Sequence, residues 1–481
     1  MKKRLALGLC FLTLGAAAAD AQQLLSLDSC RAMALRNNKQ MNVQQLKQDV
    51  AANLRKSART KYLPHVAAIG TYQYTSREVS LLSDDQKSTF PKLGTAAGLR
   101  MEKVVPGAAS TPAIATLLGV LDATGQHVVD ALETDTRNIF AGSIMLTQPV
   151  FMGGSIVAMN KMARINQAMA EHTQDATRQI TLYETDKTYW LVVSLKHKQH
   201  LAESYLEVVK KLETDVQKMI TEGVATRSDG LSVSVKVSEA EMNLQRVNDG
   251  LVLAKMLLCQ QIGLPSDSNI TLVDENTDSL AEVTPVLGAN GEQARSMAME
   301  NRPELRLLES AVDLSRQSTN LLRAGNLPQV LLTGGYVVSN PNVLNGFEKK
   351  FGGMWNVGVM VRVPLWNWGD VNYKVRASKG ATAIANLELE EAREKIELQV
   401  NQTNFKVDEA NKRQAMAQAS IKRAEENLRT AEVGFREGVI TPTTVMEAQT
   451  AWLQAKSQKI DADIDVKMAQ VDLQKAMGQL K

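Results

Sequence analysis

Between Ser155 and Thr221 the chain runs for 67 residues without a proline or a glycine. At about 1.5 Å per residue, a helix over that stretch is about 100 Å long. No single globular domain holds a helix of that length. Leu201, Tyr205, Val208, Leu212, Val216 and Met219 recur at three- and four-residue steps, the stripe of a coiled coil. A second run, Val371 to Glu437, has the same length, with Asp370 as its cap. An elongated helical architecture follows, and its apolar stripes need neighbours.

The two runs belong to a duplication. A shift of 264 overlays Arg31, Met33, Ala34 and Asn37 on Arg295, Met297, Ala298 and Asn301. The same shift overlays Leu63-Pro64, Gly70 and Tyr72 on Leu327-Pro328, Gly334 and Tyr336. A shift of 215 overlays Pro149 on Pro364, Gly154 on Gly369, and Glu222-Gly223-Val224 on Glu437-Gly438-Val439. The offset changes because the first copy carries an insertion at 83–135. The expected organisation is a signal peptide (1–21), a first repeat (22–262), a linker (263–290) and a second repeat (291–481).

Each repeat reads as helix, two strands, long helix, helix. Asp28 is a candidate cap for a first helix over Ser29 to Lys61, which Leu63-Pro64 ends. Ser228 is a candidate cap for a third helix over Asp229 to Ile262, and Thr441-Pro442 opens the last one. The two short helices of the first repeat together match the long one in length. They are expected to stack end to end beside it, which gathers the mature N-terminus, the acidic, loop-like linker and the C-terminus at mid-length.

Strand signals alternate. Val66, Ala68, Gly70, Tyr72 and Tyr74 share one face. Phe140, Gly142, Ile144 and Leu146 share another, as do Val330, Leu332, Gly334, Tyr336 and Val338. Trp355, Val357, Val359, Val361 and Val363 alternate with Asn356, Gly358, Met360 and Arg362. Thirteen of the 21 Phe, Trp and Tyr residues lie in or beside these strands, which suits the aromatic girdles of an outer-membrane barrel. A soluble β-sandwich is the alternative.

Composition removes other classes. A net charge of +3 gives no nucleic-acid footprint, and 44% apolar with 22% charged residues is not a disordered chain. Beyond the N-terminus no apolar run reaches the roughly 20 residues of a membrane-crossing helix. Lys2, Lys3 and Arg4, the apolar stretch Leu5 to Leu14, and Ala19-Asp20-Ala21 form the pattern of a signal peptide. The chain is thus expected to be exported.

Four strands cannot close a barrel, since the smallest spanning barrels have about eight, and open edges are not viable in lipid. Copies of the chain must therefore share one. The expected fold is mainly α with a membrane β-barrel, two structural repeats per chain, continued by a long coiled-coil α-barrel.

This arrangement resembles the TolC family of outer-membrane efflux channels over nearly the whole mature chain. The resemblance is carried by Leu63-Pro64 and Leu327-Pro328, and by the strand–helix corners Gln148-Pro149-Val150-Phe151-x-Gly153-Gly154 and Val363-Pro364-Leu365-Trp366-x-x-Gly369. The turns Glu222-Gly223-Val224-Ala225-Thr226 and Glu437-Gly438-Val439-Ile440-Thr441 carry it too. It implies a homotrimer with a trimeric shared 12-strand β-barrel, lodged in the outer membrane with a long periplasmic extension. It implies a passive exit duct for drugs, toxic compounds or proteins in a tripartite efflux or type I secretion system. The partners implied are a periplasmic adaptor (membrane fusion) protein, an inner-membrane transporter and the outer-membrane lipid bilayer.

On the family pattern the turns are the adaptor-docking tips, with Gly223, Val224, Gly438 and Val439 at their apices, and resting channels close there. Asp229 stands six positions after the first tip glycine, with Thr444 at the matching place of the second copy, and Glu447 stands nine after the second. Both carboxylates are candidates for a ring lining the bore, where like charges favour cations. Some members latch the gate with an Arg and a Tyr where this chain has Ile440 and Phe435.

No enzymatic set, cofactor or nucleic-acid site is expected. His197 and His200 lack a carboxylate or Cys to complete a metal site, and Met159, Met162 and Met169 read as coiled-coil filler. Cys30 and Cys259 are candidates for a disulfide in an oxidising compartment. A periplasmic adaptor with coiled-coil hairpins is the alternative function. The strands count against it, because they interrupt the duplicated helices.

Overall fold

The computed structural model describes residues 23–76, 82–132, 137–275, 288, 290–342 and 348–480. The signal peptide, the linker residues Asp278 and Glu282, and Phe347 lie outside the described residues. The first repeat comprises β1 (Gln23–Leu25), α1 (Leu27–Asn37), α2 (Lys39–Thr60), β2 (His65–Tyr74), α3 (Asp84–Thr89), α4 (Leu93–Val104), α5 (Pro112–Leu132), β3 (Asn138–Met152), α6 (Ser155–Thr221) and α7 (Arg227–Ile262). After β4 (Ile270–Leu272), the second comprises α8 (Gly291–Asn301), α9 (Pro303–Arg323), β5 (Gln329–Asn340), β6 (Gly352–Arg362), α10 (Asp370–Arg436) and α11 (Pro442–Ala476).

Both long helices have 67 residues. The short ones differ from expectation. The first helix is not continuous: Asn38 is extended (φ −65°, ψ 126°) and separates α1 from α2. Its duplicate Arg302 is extended likewise (φ −71°, ψ 120°) and separates α8 from α9. In the second repeat the cause is Pro303, since the residue before a proline avoids helix. In the first there is no proline, and the Asn38 side chain instead accepts the Gln40 N–H at 2.8 Å, restarting the helix. Ser26 caps α1 rather than Asp28, which lies in the first turn.

The chain divides into two compact units. One comprises Asn53–Arg164 and Ser315–Gly380, and the second the remainder. The first unit holds an antiparallel sheet of order β2-β3-β5-β6. Its register places Val66 by Leu146, Tyr72 by Phe140, Ile144 by Tyr336, and Tyr336 by Trp355. The four apolar rows of the sequence thus form one face. Tyr74, Asn138, Asn340 and Gly352 mark one end of the sheet. Helices α2, α6, α9 and α10 join at the other end. β3 continues through Pro149 to Met152, with a bulge between Pro149 and Phe151. Proline is tolerated there because pairing with β2 has already stopped at Thr147.

The second unit is built on the middles of α6 and α10. One core cluster joins Tyr189, Val192 and Val193 to Val400 and Val407, to Cys30 and Ala34 of α1, and to Leu258 and Ile262 of α7. The same cluster takes in Leu25, Ile270, Leu272 and Ala476. The linker is therefore not all loop: β4 pairs in parallel with β1. Within this core Arg31 grips the fully buried Asp186 through two hydrogen bonds of 2.7 and 2.6 Å. Cys30 and Cys259 are both buried and free, so the disulfide is absent. Burial pushes the Cys30 thiol up to about 12.

Candidate functional site: hairpin tips and sheet face

Helices α6 and α7 meet at a hairpin tip whose turn is fixed by backbone chemistry. Gly223 is left-handed (φ 77°). The Val224 N–H donates to the Met219 carbonyl (2.8 Å) and the Gly223 N–H to Ile220 (3.1 Å). This pair of bonds satisfies the last carbonyls of a helix and needs a residue without a Cβ penalty at its apex. The second tip repeats it. Gly438 has φ 74°, and Val439 and Gly438 donate to Gly434 (2.9 Å) and Phe435 (3.0 Å). The geometry thrusts Val224 and Val439 into solvent, 70% and 81% exposed.

Thr226, and not Ser228, caps α7. The Asp229 N–H donates to Thr226 Oγ1 (3.2 Å), and the Thr226 N–H and hydroxyl donate to Asp229 Oδ2 (2.9 and 2.6 Å). Those hydrogen bonds hold the Asp229 carboxyl below the ordinary carboxylate value. Asp229 is therefore the third residue of a capping box, with Oδ1 left over. In α11 the cap is Thr441, and Thr444 fills the matching place, its N–H on Thr441 Oγ1 at 3.4 Å. A Thr-x-x-Asp pattern carries that signal in sequence. Glu447 is exposed one turn further on.

The two tips are joined to each other by apolar packing. Leu212 and Val216 of α6, Val233 of α7, Leu428, Ala431 and Phe435 of α10, and Val445 and Ala448 of α11 form one buried cluster. Ile440 covers Gly434 so closely that a Cβ there would lie 2.6 Å from Ile440 Cδ1. Lys210–Glu241 (2.7 Å) and Lys456–Glu425 (3.8 Å) each run within a hairpin, and further from the tips Lys198–Asp461 (2.6 Å) joins α6 to α11. Leu212 and Val216 belong to the coiled-coil stripe legible in the sequence, but the cluster as a whole leaves no local pattern, because its residues are spaced along four helices.

The sheet unit presents a different surface. Trp355, Val357, Val359 and Val361 on one face of β6 are 76%, 69%, 66% and 59% exposed. A contiguous apolar row of this kind needs a partner surface. At the strand–helix corners Gly153 and Gly154 have φ of 61° and 83°; Trp368 and Gly369 take their places with 52° and 77°. Pro149 lies in the bulge of β3, and Pro364 follows β6. Trp366 and Trp368 pack edge to face at 5.7 Å and are both largely exposed. His197 faces the Asp274 carbonyl (3.3 Å) and His200 lies 3.4 Å from Glu203.

The family model of outer membrane efflux proteins matches residues 31–263 and 294–479, that is, both repeats. The chain belongs to the outer membrane efflux protein family. Such an efflux protein is a protein of the outer membrane. The outer membrane protein TolC of Vibrio cholerae is 22% identical over 385 residues, spanning 77% of this chain and 84% of TolC. The proteases secretion protein PrtF of Dickeya chrysanthemi is 24% identical over 334 residues, 65% of this chain and 70% of PrtF. Among solved structures, CusC superposes with a TM-score of 0.72 at 14% identity, covering 97% of this chain and 95% of CusC. VceC from Vibrio cholerae gives 0.71 at 14% identity, covering 94% and 96%. The efflux protein therefore has the fold of these channels, mainly α with a β domain.

Proposed function

We propose that the chain is one subunit of a homotrimeric outer-membrane channel, the passive exit duct of a tripartite efflux or type I secretion system, without enzymatic activity. The observation that carries the reading is the sheet. Its outer strands β2 and β6 have no pairing partner on their outer sides among the described residues, and its apolar face is bare. Three copies joined edge to edge give a 12-strand barrel, which leaves no open edge in lipid and covers the apolar face with acyl chains.

In this reading Val224 and Val439 are the knobs that a periplasmic adaptor grips, and an inner-membrane transporter feeds the duct from below. Residues 1–21 are the export signal, 22–262 and 291–481 the two repeats, and 263–290 the equatorial linker. Glu447, and the free Oδ1 of Asp229, ring the narrow end of the bore and favour cations. Pro149, Gly154, Pro364 and Gly369 turn the strands into the long helices.

The test is reconstitution of the purified chain in planar bilayers. Discrete conductance steps from a detergent-extracted trimer are expected. A monomer that fractionates with soluble protein refutes the channel. Glu447→Gln is expected to weaken block of the current by divalent cations, and unaltered block rejects the carboxylate ring.

A further inference from the structure

The four helix ends that meet the sheet are lopsided in charge. In 53–64, 153–164, 315–328 and 363–380 the chain carries eleven Lys and Arg and one acidic residue, Asp370. The whole chain is nearly balanced, at 55 basic against 52 acidic residues. The bias also stops abruptly. Further along α10, Glu388, Glu390, Glu391, Glu394 and Glu397 outnumber Arg393 and Lys395.

The excess is gathered in one place. Each basic residue lies within about ten residues of the sheet-side end of α2, α6, α9 or α10, a depth of about 15 Å at about 1.5 Å per residue. Arg59, Lys61, Lys161, Arg323, Arg376 and Lys379 are all exposed. Asp370 is already taken, by Lys374 at 2.7 Å. Neighbouring copies in a ring bring the same excess to the same level, so assembly compounds this charge instead of neutralising it. The counter-charge must come from another molecule.

The surface between this collar and the sheet identifies that molecule. The apolar row of β6 continues past Arg362 into Val363 and Leu365, both exposed, and then into the bare rings of Trp366, Trp368 and Tyr373. Trp and Tyr gather where the hydrocarbon of a bilayer gives way to headgroups. Arg376 stands three residues beyond Tyr373, on the same side of α10. Apolar face, amphipathic rings and cations thus follow in the order of a leaflet, from acyl chains to phosphates. We infer that the collar binds the anionic headgroups of phospholipids in the leaflet on the helical side of the barrel. This rests on the membrane-barrel reading. One Lys or Arg near an anionic leaflet is worth about fivefold in affinity.

Tryptophan quenching by brominated acyl chains tests it. Trp355, Trp366 and Trp368 lie in the sheet unit, and Trp190 and Trp452 in the other. The full-length chain is reconstituted in phosphatidylcholine vesicles that contain dibrominated phosphatidylglycerol or dibrominated phosphatidylcholine at equal mole fraction. Conductance and native-gel size are taken from the same preparation. Quenching is expected to give an apparent affinity about fivefold higher for phosphatidylglycerol. That preference should vanish in molar salt, where the screening length falls to about 3 Å. It should vanish too in the combined variant Arg59→Gln, Lys61→Gln, Arg376→Gln and Lys379→Gln. Equal quenching by the two lipids in a conducting trimer overturns the collar and leaves the channel reading intact. A preference that survives the combined variant overturns it as well, and a shifted reversal potential in that variant then marks the cations as lining the bore. A monomer on the native gel overturns the barrel reading, and the collar with it.

Discussion

Replacing Arg31 by methionine should destabilise the helical unit far more than the loss of a surface ion pair. Asp186 is fully buried, and Arg31 supplies both of its hydrogen-bonded contacts at 2.7 and 2.6 Å. Burial already pushes the Asp186 carboxyl above its ordinary value, and Arg31 opposes that push. Without Arg31 the carboxylate is left uncompensated, and breaking a buried pair from one side costs about 3–5 kcal/mol. The sign with pH follows. A carboxyl whose folded pKa is raised contributes stability at low pH that is lost as pH rises through the folded value. Removing Arg31 raises that value further, so the deficit of Arg31→Met should be small at acid pH and grow toward neutrality. Thermal unfolding of the helical circular dichroism signal in detergent, followed across pH, measures it. The double variant Arg31→Met with Asp186→Leu removes both charges and should recover most of the loss. A double variant no more stable than Arg31→Met, or a deficit independent of pH, would refute the reasoning.

At the tips, Phe435→Ala empties a buried site shared by both hairpins and should cost about 3–5 kcal/mol locally. The expected readout is faster hydrogen exchange at both tips together, and change confined to α10 and α11 would count against a shared cluster. The Asp229 carboxyl is held low by Thr226, so its contribution to the α7 cap is present above the ordinary carboxylate range and is lost as pH falls through the lowered value. Exchange at the first turn of α7 should therefore quicken in acid. The first turn of α11, where Thr444 stands, should show no such step.

How much of this was legible in the sequence depends on the range over which each feature is determined. The long helices were readable because nothing within Ser155 to Thr221 interrupts them, and Gly380 and Gly434 do not interrupt α10. Of the two homologous breaks, Arg302 is announced by Pro303. Asn38 is not, because its side chain restarts the helix without a proline. The shared apolar face of the sheet was readable strand by strand, since alternation is local and register preserves it. Asp229 reads as a bore carboxylate on the family pattern, and its role in the capping box was legible too, in the Thr226-x-x-Asp229 spacing, though Ser228 offered a competing cap. The cluster around Phe435 stayed hidden because it is assembled from four helices at once.

That cluster bears on how the paired tips can respond to their surroundings. Parting the tips wets Leu212, Val216, Phe435 and Val445, while the ion pair that joins α6 to α11, Lys198–Asp461 at 2.6 Å, lies further along the helices. Wetting apolar surface raises heat capacity and is insensitive to dilute electrolyte. Separation of the two tips should therefore answer to warming and cooling more readily than to brine.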